Sequence, residues 1–262
     1  MKIYALMENI SHDECLACEH GLSLYIEADG KKILFDTGAS ENFAANAEKM
    51  GVDLKAVDFA AISHGHYDHG GGLAKFIEIN DHAPIYISNK GFNQYYSGTD
   101  FNVSIPEGLE GNPRFVLTSE PIKLSENITL LNCNDREAKY FADPYGLNKL
   151  VDGEFIPDDF LHEQYLIIEE NGKRIVISGC SHKGILNIME WLKPDILIGG
   201  FHFFRLTTEG EDAATLDKSA AILNEYGATY YTCHCTGTEQ YEYLKAQMPK
   251  PNYIATGDVI EF

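Results

Sequence analysis

In the stretch Ser63-His64-Gly65-His66-Tyr67-Asp68-His69-Gly70-Gly71-Gly72, three imidazoles and one carboxylate fall within six consecutive positions, directly after the apolar run Val57-Asp58-Phe59-Ala60-Ala61-Ile62. A strand that ends and turns sharply aims His64 and His66 at one ion. Asp68 and His69, at the start of the next helix, then face a second ion beside it, so the spacing points to a dinuclear metal centre. Neutral imidazole nitrogen and carboxylate oxygen suit zinc at about 2.0–2.2 Å, and iron and manganese accept the same ligand types. The plain alternative is a His-rich surface turn, which a strand, turn and helix around the motif would exclude.

Length and composition bound the rest. The 262 residues suffice for one large core or two modest ones, and a hydrophobic content of 44% is ordinary for a soluble globular protein. We expect a single domain over residues 1–262. No apolar stretch approaches the length of a membrane span, and Met1-Lys2-Ile3-Tyr4-Ala5-Leu6-Met7-Glu8-Asn9 reads as a first strand rather than a signal peptide, which favours the cytoplasm and no membrane partner. Six cysteines, Cys15, Cys18, Cys133, Cys180, Cys233 and Cys235, are too few and too scattered for a disulfide framework, so reduced thiols are expected. No second Cys-x-x-Cys exists to close a thiolate metal site with Cys15 and Cys18. Forty acidic against twenty basic residues give a formal charge of −20, which repels phosphate backbones and argues against a nucleic-acid partner. A small anionic substrate remains compatible, because local side chains and bound ions set the charge at a site.

Apolar runs predict strands at Ile3–Met7, Leu22–Glu27, Lys32–Phe35, Phe59–Ile62, Pro84–Ser88, Ile128–Leu131, Tyr165–Glu169, Arg174–Ser178, Ile196–Gly199, Thr229–Thr232 and near Tyr253–Ile254. Helical patterns lie between them at Asn42–Met50, Leu73–Asn80, Ile185–Leu192, Ala213–Tyr226 and Glu239–Gln247. Strand runs interleaved with single helices, occurring twice along the chain, fit an α/β fold of four layers, an α/β/β/α sandwich. Residues 92–113 and 132–161 are expected to be irregular excursions. They mix turn residues with Tyr95, Tyr96, Phe101, Tyr140, Phe141 and Tyr145, and either wall the metal cleft or form ordinary surface loops.

A dinuclear site needs further ligands, and three histidines follow strands as the first cluster does: His182 after Ile175–Ser178, His202 after Leu197–Ile198, and His234 after Tyr230–Thr232. One such histidine alone reads as a hydrogen-bonded structural residue; three beside an incomplete metal site read otherwise. We take His182 and His234 as ligands and His202 as a residue that touches substrate or orients a ligand. His82 reads as a surface residue, and His20 and His162 are left open.

His-x-His-x-Asp-His after a strand, Phe35-Asp36-Thr37-Gly38 at the end of an earlier one, and the later strand-end histidines resemble the metallo-β-lactamase superfamily along nearly the whole chain. Glu19-His20-Gly21-Leu22-Ser23, Gly179-Cys180-Ser181-His182, Gly200-Phe201-His202 and His234-Cys235-Thr236-Gly237 resemble the branch that includes the archaeal 7,8-dihydropterin-6-methyl-4-(β-D-ribofuranosyl)aminobenzene 5′-phosphate synthase and many uncharacterised metal-dependent hydrolases. The resemblance implies that His64, His66 and His182 hold one ion and Asp68, His69 and His234 the other. It also implies that Asp36 is a buried buttress bonded to the backbone of the ligand loop. The chain departs from the commoner pattern at Asp159-Phe160-Leu161-His162, where most members carry a ligand histidine in a different turn. It departs again at Gly179-Cys180, where most carry a bridging aspartate. Cys180 either replaces that carboxylate as a thiolate or packs as a small hydrophobe, the reading preferred here.

The expected function is that of a metal-dependent hydrolase. Two adjacent divalent cations, zinc foremost, lower the pKa of water and activate it against a carbonyl or phosphoryl centre of a small substrate. Asp68 would both bind metal and orient the nucleophile, with His202 beside it. Lys183, next to the amides opening a helix at Gly184-Ile185, and Arg205 are candidates for binding a substrate anion. The alternative is a dihydropterin-linked transferase or synthase, with Tyr95 or Tyr96 stacking on the ring. A non-catalytic metabolite sensor is a third reading, whose mark would be a lost ligand. The oligomeric state is not legible.

Overall fold

The computed structural model describes residues 1–249 and 251–262. Two seven-stranded sheets dominate it. In spatial order the first contains Val259–Glu261, Lys2–Met7, Ser23–Ala28, Lys31–Phe35, Phe59–Ala61, Ile85–Ser88 and Phe115–Thr118; the second contains Asn252–Tyr253, Thr229–Thr232, Ile196–Ile198, Lys173–Ile177, Tyr165–Glu170, Ile128–Leu131 and Ile122–Lys123. Each is part antiparallel and part parallel. Lys31–Phe35, Phe59–Ala61, Ile85–Ser88 and Phe115–Thr118 run parallel in the first, and Lys173–Ile177, Ile196–Ile198, Thr229–Thr232 and Asn252–Tyr253 in the second.

The pleat sorts the apolar runs between layers, since successive side chains on a strand point to opposite faces. Ile3, Leu24, Ile26, Ile33, Phe35 and Phe59 meet Leu166, Ile175, Ile177, Ile196 and Ile198 in a core shared by the two sheets. Their neighbours Leu6, Tyr25, Leu34 and Ala60 point outward, against Phe43 and Ala47 of helix Asn42–Lys49 and Leu73 and Phe76 of helix Leu73–Ile79. Val176, Leu197 and Tyr230 likewise meet helices Ile185–Leu192, Gly210–Glu225 and Thr238–Lys245. The layers are therefore α/β/β/α, as the strand and helix pattern predicts.

Residues 92–113 and 132–161 depart from the expected irregularity. Tyr95–Ser97, Phe101–Asn102, Leu147–Val151 and Glu154–Pro157 form a third, four-stranded sheet in which the two excursions pair with each other, Leu147 opposite Ser97 and Lys149 opposite Tyr95. This sheet is tied to the ligand loop, where the Tyr67 amide donates to Val103 O at 2.8 Å and the Ile105 amide to Gly65 O at 3.2 Å. No helix among the described residues is long and apolar enough to cross a membrane.

Candidate metal centre

The parallel strands of both sheets end at one rim, as ligand sites in open α/β sheets do. Phe59–Ala61 leads into His64, and His66 precedes the short helix Tyr67–Gly70 that carries Asp68 and His69. From the second sheet, Lys173–Ile177 leads to Cys180 and His182, Ile196–Ile198 to His202, and Thr229–Thr232 to His234. Two glycines let these turns close. A Cβ at Gly65 would lie 2.5 Å from Gly91 O, and one at Gly179 would lie 2.2 Å from Ser63 Oγ. Asp36, Ser181, His202 and His234 hold left-handed backbone at φ 60°, 62°, 58° and 50°. Such strain costs about 1–3 kcal/mol at each non-glycine position and persists where surrounding structure enforces it.

These turns bring the expected ligands into two adjoining groups. The ligand atoms of His64, His66 and His182 all lie within 4.8 Å of one another, and so do those of Asp68, His69, Cys180 and His234. All seven residues are buried. His64 Nε2 and His182 Nε2 are 3.2 Å apart; Asp68 Oδ2 lies 3.2 Å from His234 Nε2, and His69 Nε2 lies 3.2 Å from Cys180 Sγ. The Cys180 sulfur is buried and faces the donors of the second group, a position in which a thiolate ligand or a packed thiol would equally serve.

The hydrogen-bond network assigns the imidazole tautomers. Ser63 Oγ donates to Asp36 Oδ2 at 2.7 Å, so it accepts from His64 Nδ1 at 2.8 Å. His69 Nδ1 donates to Asp36 Oδ2, and His234 Nδ1 to Asn9 Oδ1, each at 2.7 Å. In all three rings the proton sits on Nδ1 and the Nε2 lone pair faces inward, the arrangement that outer partners impose on metal-binding histidines. His66 Nε2 is buried without a hydrogen-bond partner among the described residues, as are His182 Nδ1 and His234 Nε2. Buried polar atoms are ordinarily paired, and a divalent cation in each group would satisfy His66 Nε2 in the first and His234 Nε2 in the second.

Electrostatics point the same way for every ring but His69, which, against its burial, Asp68 and Asp36 hold above the usual histidine range, so that a cation would take the place of its Nε2 proton. Burial, reinforced by neighbouring imidazoles, holds His64 and His182 well below the usual histidine range and lowers His66 to about 3 and His234 to about 4, which keeps the rings neutral. Burial works to raise Asp68, yet His69, His20 and His234 hold its carboxyl well below the usual range, so it stays ionised. Metal binding requires these protonation states.

Three buried carboxylates fix the ligand segments. Asp36 accepts from the Ser63 amide at 2.6 Å as well as from Ser63 Oγ and His69. Glu163 accepts from the His182 amide at 2.6 Å, the Lys183 amide at 3.0 Å and the Tyr165 hydroxyl at 2.7 Å. Glu8 accepts from the His234 amide at 2.5 Å and the Tyr253 hydroxyl at 2.8 Å. Sequence reasoning missed Glu163 and Glu8; both flank apolar strands, and nothing local marks an acid there as buried. His162, left open, is a brace. Its Nδ1 accepts from the Gly65 amide at 2.8 Å and its Nε2 donates to Asp158 Oδ2 at 3.0 Å. His20, also left open, stands at the cleft with Nε2 3.3 Å from Asp68 Oδ2.

The donors open into a cleft of about 280 Å³ bounded by His20, Asp68, His202, Phe101, Phe204 and Arg205. His202 is buried, its ring 4.3 Å from that of His182, and it belongs to neither donor group. Arg205 is exposed, its guanidinium 5.3 Å over the Phe204 ring. Three expected substrate contacts need correction. Lys183 spends its ammonium on Asn132 O and Asn134 Oδ1, each at 2.6 Å, and Glu163 O at 3.1 Å, which leaves no donor for an anion. Tyr95 is 1% exposed, its hydroxyl bound to Lys90 O and its ring packed on His162 at 4.0 Å. Tyr96 packs edge-on against Phe155 on the third sheet, and neither tyrosine lines the cleft.

Comparison with known proteins agrees with this geometry. The chain is 31% identical over 263 residues, 90% of this chain and 88% of the relative, to the 7,8-dihydropterin-6-methyl-4-(β-D-ribofuranosyl)-aminobenzene-5′-phosphate synthase of Methanocaldococcus jannaschii. It is 29% identical over 244 residues, 90% of both chains, to an uncharacterised protein of the same organism. The crystal structure of a metal-dependent hydrolase of the β-lactamase superfamily superposes with a TM-score of 0.82 at 27% identity, covering 100% of this chain and 99% of that one. Residues 17–216 match the metallo-β-lactamase superfamily model, and with the α/β/β/α layers and the rim of histidines this establishes that the chain belongs to that superfamily.

Proposed function

We propose that the chain is a hydrolase that uses a pair of divalent ions, zinc foremost, against a small anionic substrate. The observation that carries this reading is the set of Nδ1–H donors on His64, His69 and His234, which leaves three Nε2 lone pairs turned into one buried rim. His64, His66 and His182 would hold one ion, and Asp68, His69 and His234, with Cys180, the other. When bound, such ions supply Lewis acidity and a nucleophilic hydroxide at neutral pH.

The side chains divide the remaining work. Asp68, ionised and reaching His20 and His234 through Oδ2, accepts a hydrogen bond from the attacking water and so aims it. His202, on the cleft wall, meets the substrate opposite Asp68. Arg205 at the rim receives its anionic group, and Phe101 and Phe204 narrow the opening to water. The formal charge of −20 supports a small molecule over nucleic acid, and the likeness to a solved metal-dependent hydrolase supports hydrolysis.

The test is elemental analysis of the purified protein followed by assays on phosphodiester, thioester and lactone substrates with wild type and His66→Ala. Two bound ions, and turnover lost in His66→Ala, are expected. Metal-loaded wild type inactive on every class would overturn hydrolysis.

A second reading, a transferase or synthase acting on a reduced pterin, is favoured by the 31% identity to the dihydropterin-linked synthase. With Tyr95 and Tyr96 outside the cleft, Phe101 and Phe204 would have to stack on the ring. Failure of the metal-loaded protein to bind 7,8-dihydropterin would remove it.

A further inference from the structure

His182 and His202 have a second side. Their rings line the metal cleft and also a separate cavity of about 420 Å³ beneath residues 140–145, a size within the range of small-molecule sites. Tyr140, Phe141, Tyr145 and Phe203 line it, together with Ile185 and Leu186 at the start of helix Ile185–Leu192. Its one acid, Asp143, and its one amine, Lys218, cancel, so nothing in the lining calls for a charged ligand. The lining is aromatic, uncharged on balance and adjacent to the reaction centre.

Phe141 is the most telling part. It is 89% exposed, so its ring adds almost no buried apolar area to the fold. The backbone leading to it is held in place. Asn187 Oδ1 accepts from the Lys139 and Tyr140 amides at 3.0 and 2.8 Å, and Asn187 Nδ2 donates to Tyr140 O at 2.8 Å, which pins the loop just before Phe141. Tyr145 continues the aromatic wall to the metal side, its ring 5.6 Å from that of His202.

We infer that this cavity takes a flat, uncharged aromatic or heteroaromatic ring of the substrate against its aromatic lining, with Tyr145 on the metal side and Phe141 at the mouth, while the substrate's anionic group lies at the metal centre across His202. The inference rests on the proposed metal-centred reaction and adds the chemical class of the group attached to the anion. Ring faces prefer other rings in stacked or edge-on contact, which gives the site a preference for aryl over alkyl groups.

Isothermal titration calorimetry of the metal-loaded protein with 1-naphthylphosphonate and butylphosphonate tests it. The naphthyl compound should bind wild type about tenfold tighter than the butyl one, from the ring area it buries. Ala214→Trp, on the exposed face of helix Gly210–Glu225 at the cavity wall, should erase that preference while leaving butylphosphonate affinity unchanged. Equal affinities in wild type, no binding by the naphthyl compound, or a preference that survives Ala214→Trp would overturn the inference. Failure of the metal-centred reading shows separately, as affinities for both phosphonates that His66→Ala does not change.

Discussion

His64 Nε2 and His182 Nε2 face each other across 3.2 Å from positions 118 residues apart, each just past the end of an interior strand of its own sheet. The contact is made where the two halves of the sandwich meet, and the proton on His64 Nδ1 leaves that ring no hydrogen to donate there. A cation held between such nitrogens would join the sheets as well as serve chemistry.

Metal removal should therefore destabilise the fold. A ligand present at a hundred times its dissociation constant stabilises by about 2.7 kcal/mol, and for a chain of this size each kcal/mol moves the melting temperature by about 2–4 °C. Differential scanning calorimetry should show a drop of about 5–10 °C on dialysis against a chelator. The drop should shrink in His66→Ala, whose first group has already lost a donor.

Asp36 should matter to stability even without metal. Its buried carboxylate accepts three hydrogen bonds, from the Ser63 amide, Ser63 Oγ and His69 Nδ1. Asp36→Ala strands all three donors, and breaking a buried, hydrogen-bonded ionic contact costs about 3–5 kcal/mol. Urea unfolding of the metal-free variant should show a loss of that size, and a loss under 1 kcal/mol would remove Asp36 from the role of buttress.

Glu163 and Glu8 make a sharper pair, because each braces one donor group: Glu163 through the His182 amide, Glu8 through the His234 amide. Outer partners of metal ligands are worth about 10–100-fold in affinity. Competition against a chromophoric chelator should show Glu163→Gln weakening one of two ions and Glu8→Gln the other. If both variants weaken the same ion, the two-group assignment is wrong.

Cys180 separates a thiolate donor from a packed thiol. Without metal, burial drives the thiol's pKa well above its ordinary value, whereas a coordinating thiol is deprotonated outright. The cobalt-substituted protein should show a sulfur-to-cobalt charge-transfer band in the near ultraviolet that Cys180→Ser abolishes with cobalt still bound. An unchanged spectrum would return Cys180 to packing.

The sandwich was legible because its strands are buried on both faces and so read as continuous apolar runs, as Ile175–Ile177 and Ile196–Ile198 do. The third sheet was not. Phe101–Asn102 has two residues, Glu154–Pro157 is exposed along its length, and Leu147 finds Ser97 only through a long-range pairing that leaves no periodicity in either segment. At the site, clustered histidines after strands carried their own signal. Glu8, Glu163 and Asp158 did not, because a buried acid and an exposed one have the same neighbours in sequence. Tyr95 and Lys183 were misread for a related reason: adjacency to a ligand or a cleft-forming loop does not say which way a side chain turns.

That difference in direction makes Lys183 and Arg205 opposite cases. Lys183 is half-buried, desolvation lowers its pKa, and all three of its ammonium hydrogens go to Asn132, Asn134 and Glu163. Lys183→Met leaves those acceptors unpaired at about 1–3 kcal/mol in stability, yet it should change KM less than about twofold, since uniform substrate binding is what KM reports. Arg205 stands exposed at the rim of the cleft beside Phe204. Arg205→Ala should leave stability within about 0.5 kcal/mol of wild type. It should raise KM about tenfold for an anionic substrate at unchanged kcat, the signature of a lost charge-assisted contact made equally in the ground and transition states. Steady-state kinetics on the first substrate turned over, with melting curves of both variants, decides between them: a KM effect from Lys183→Met and none from Arg205→Ala would reverse the assignment of the anion contact.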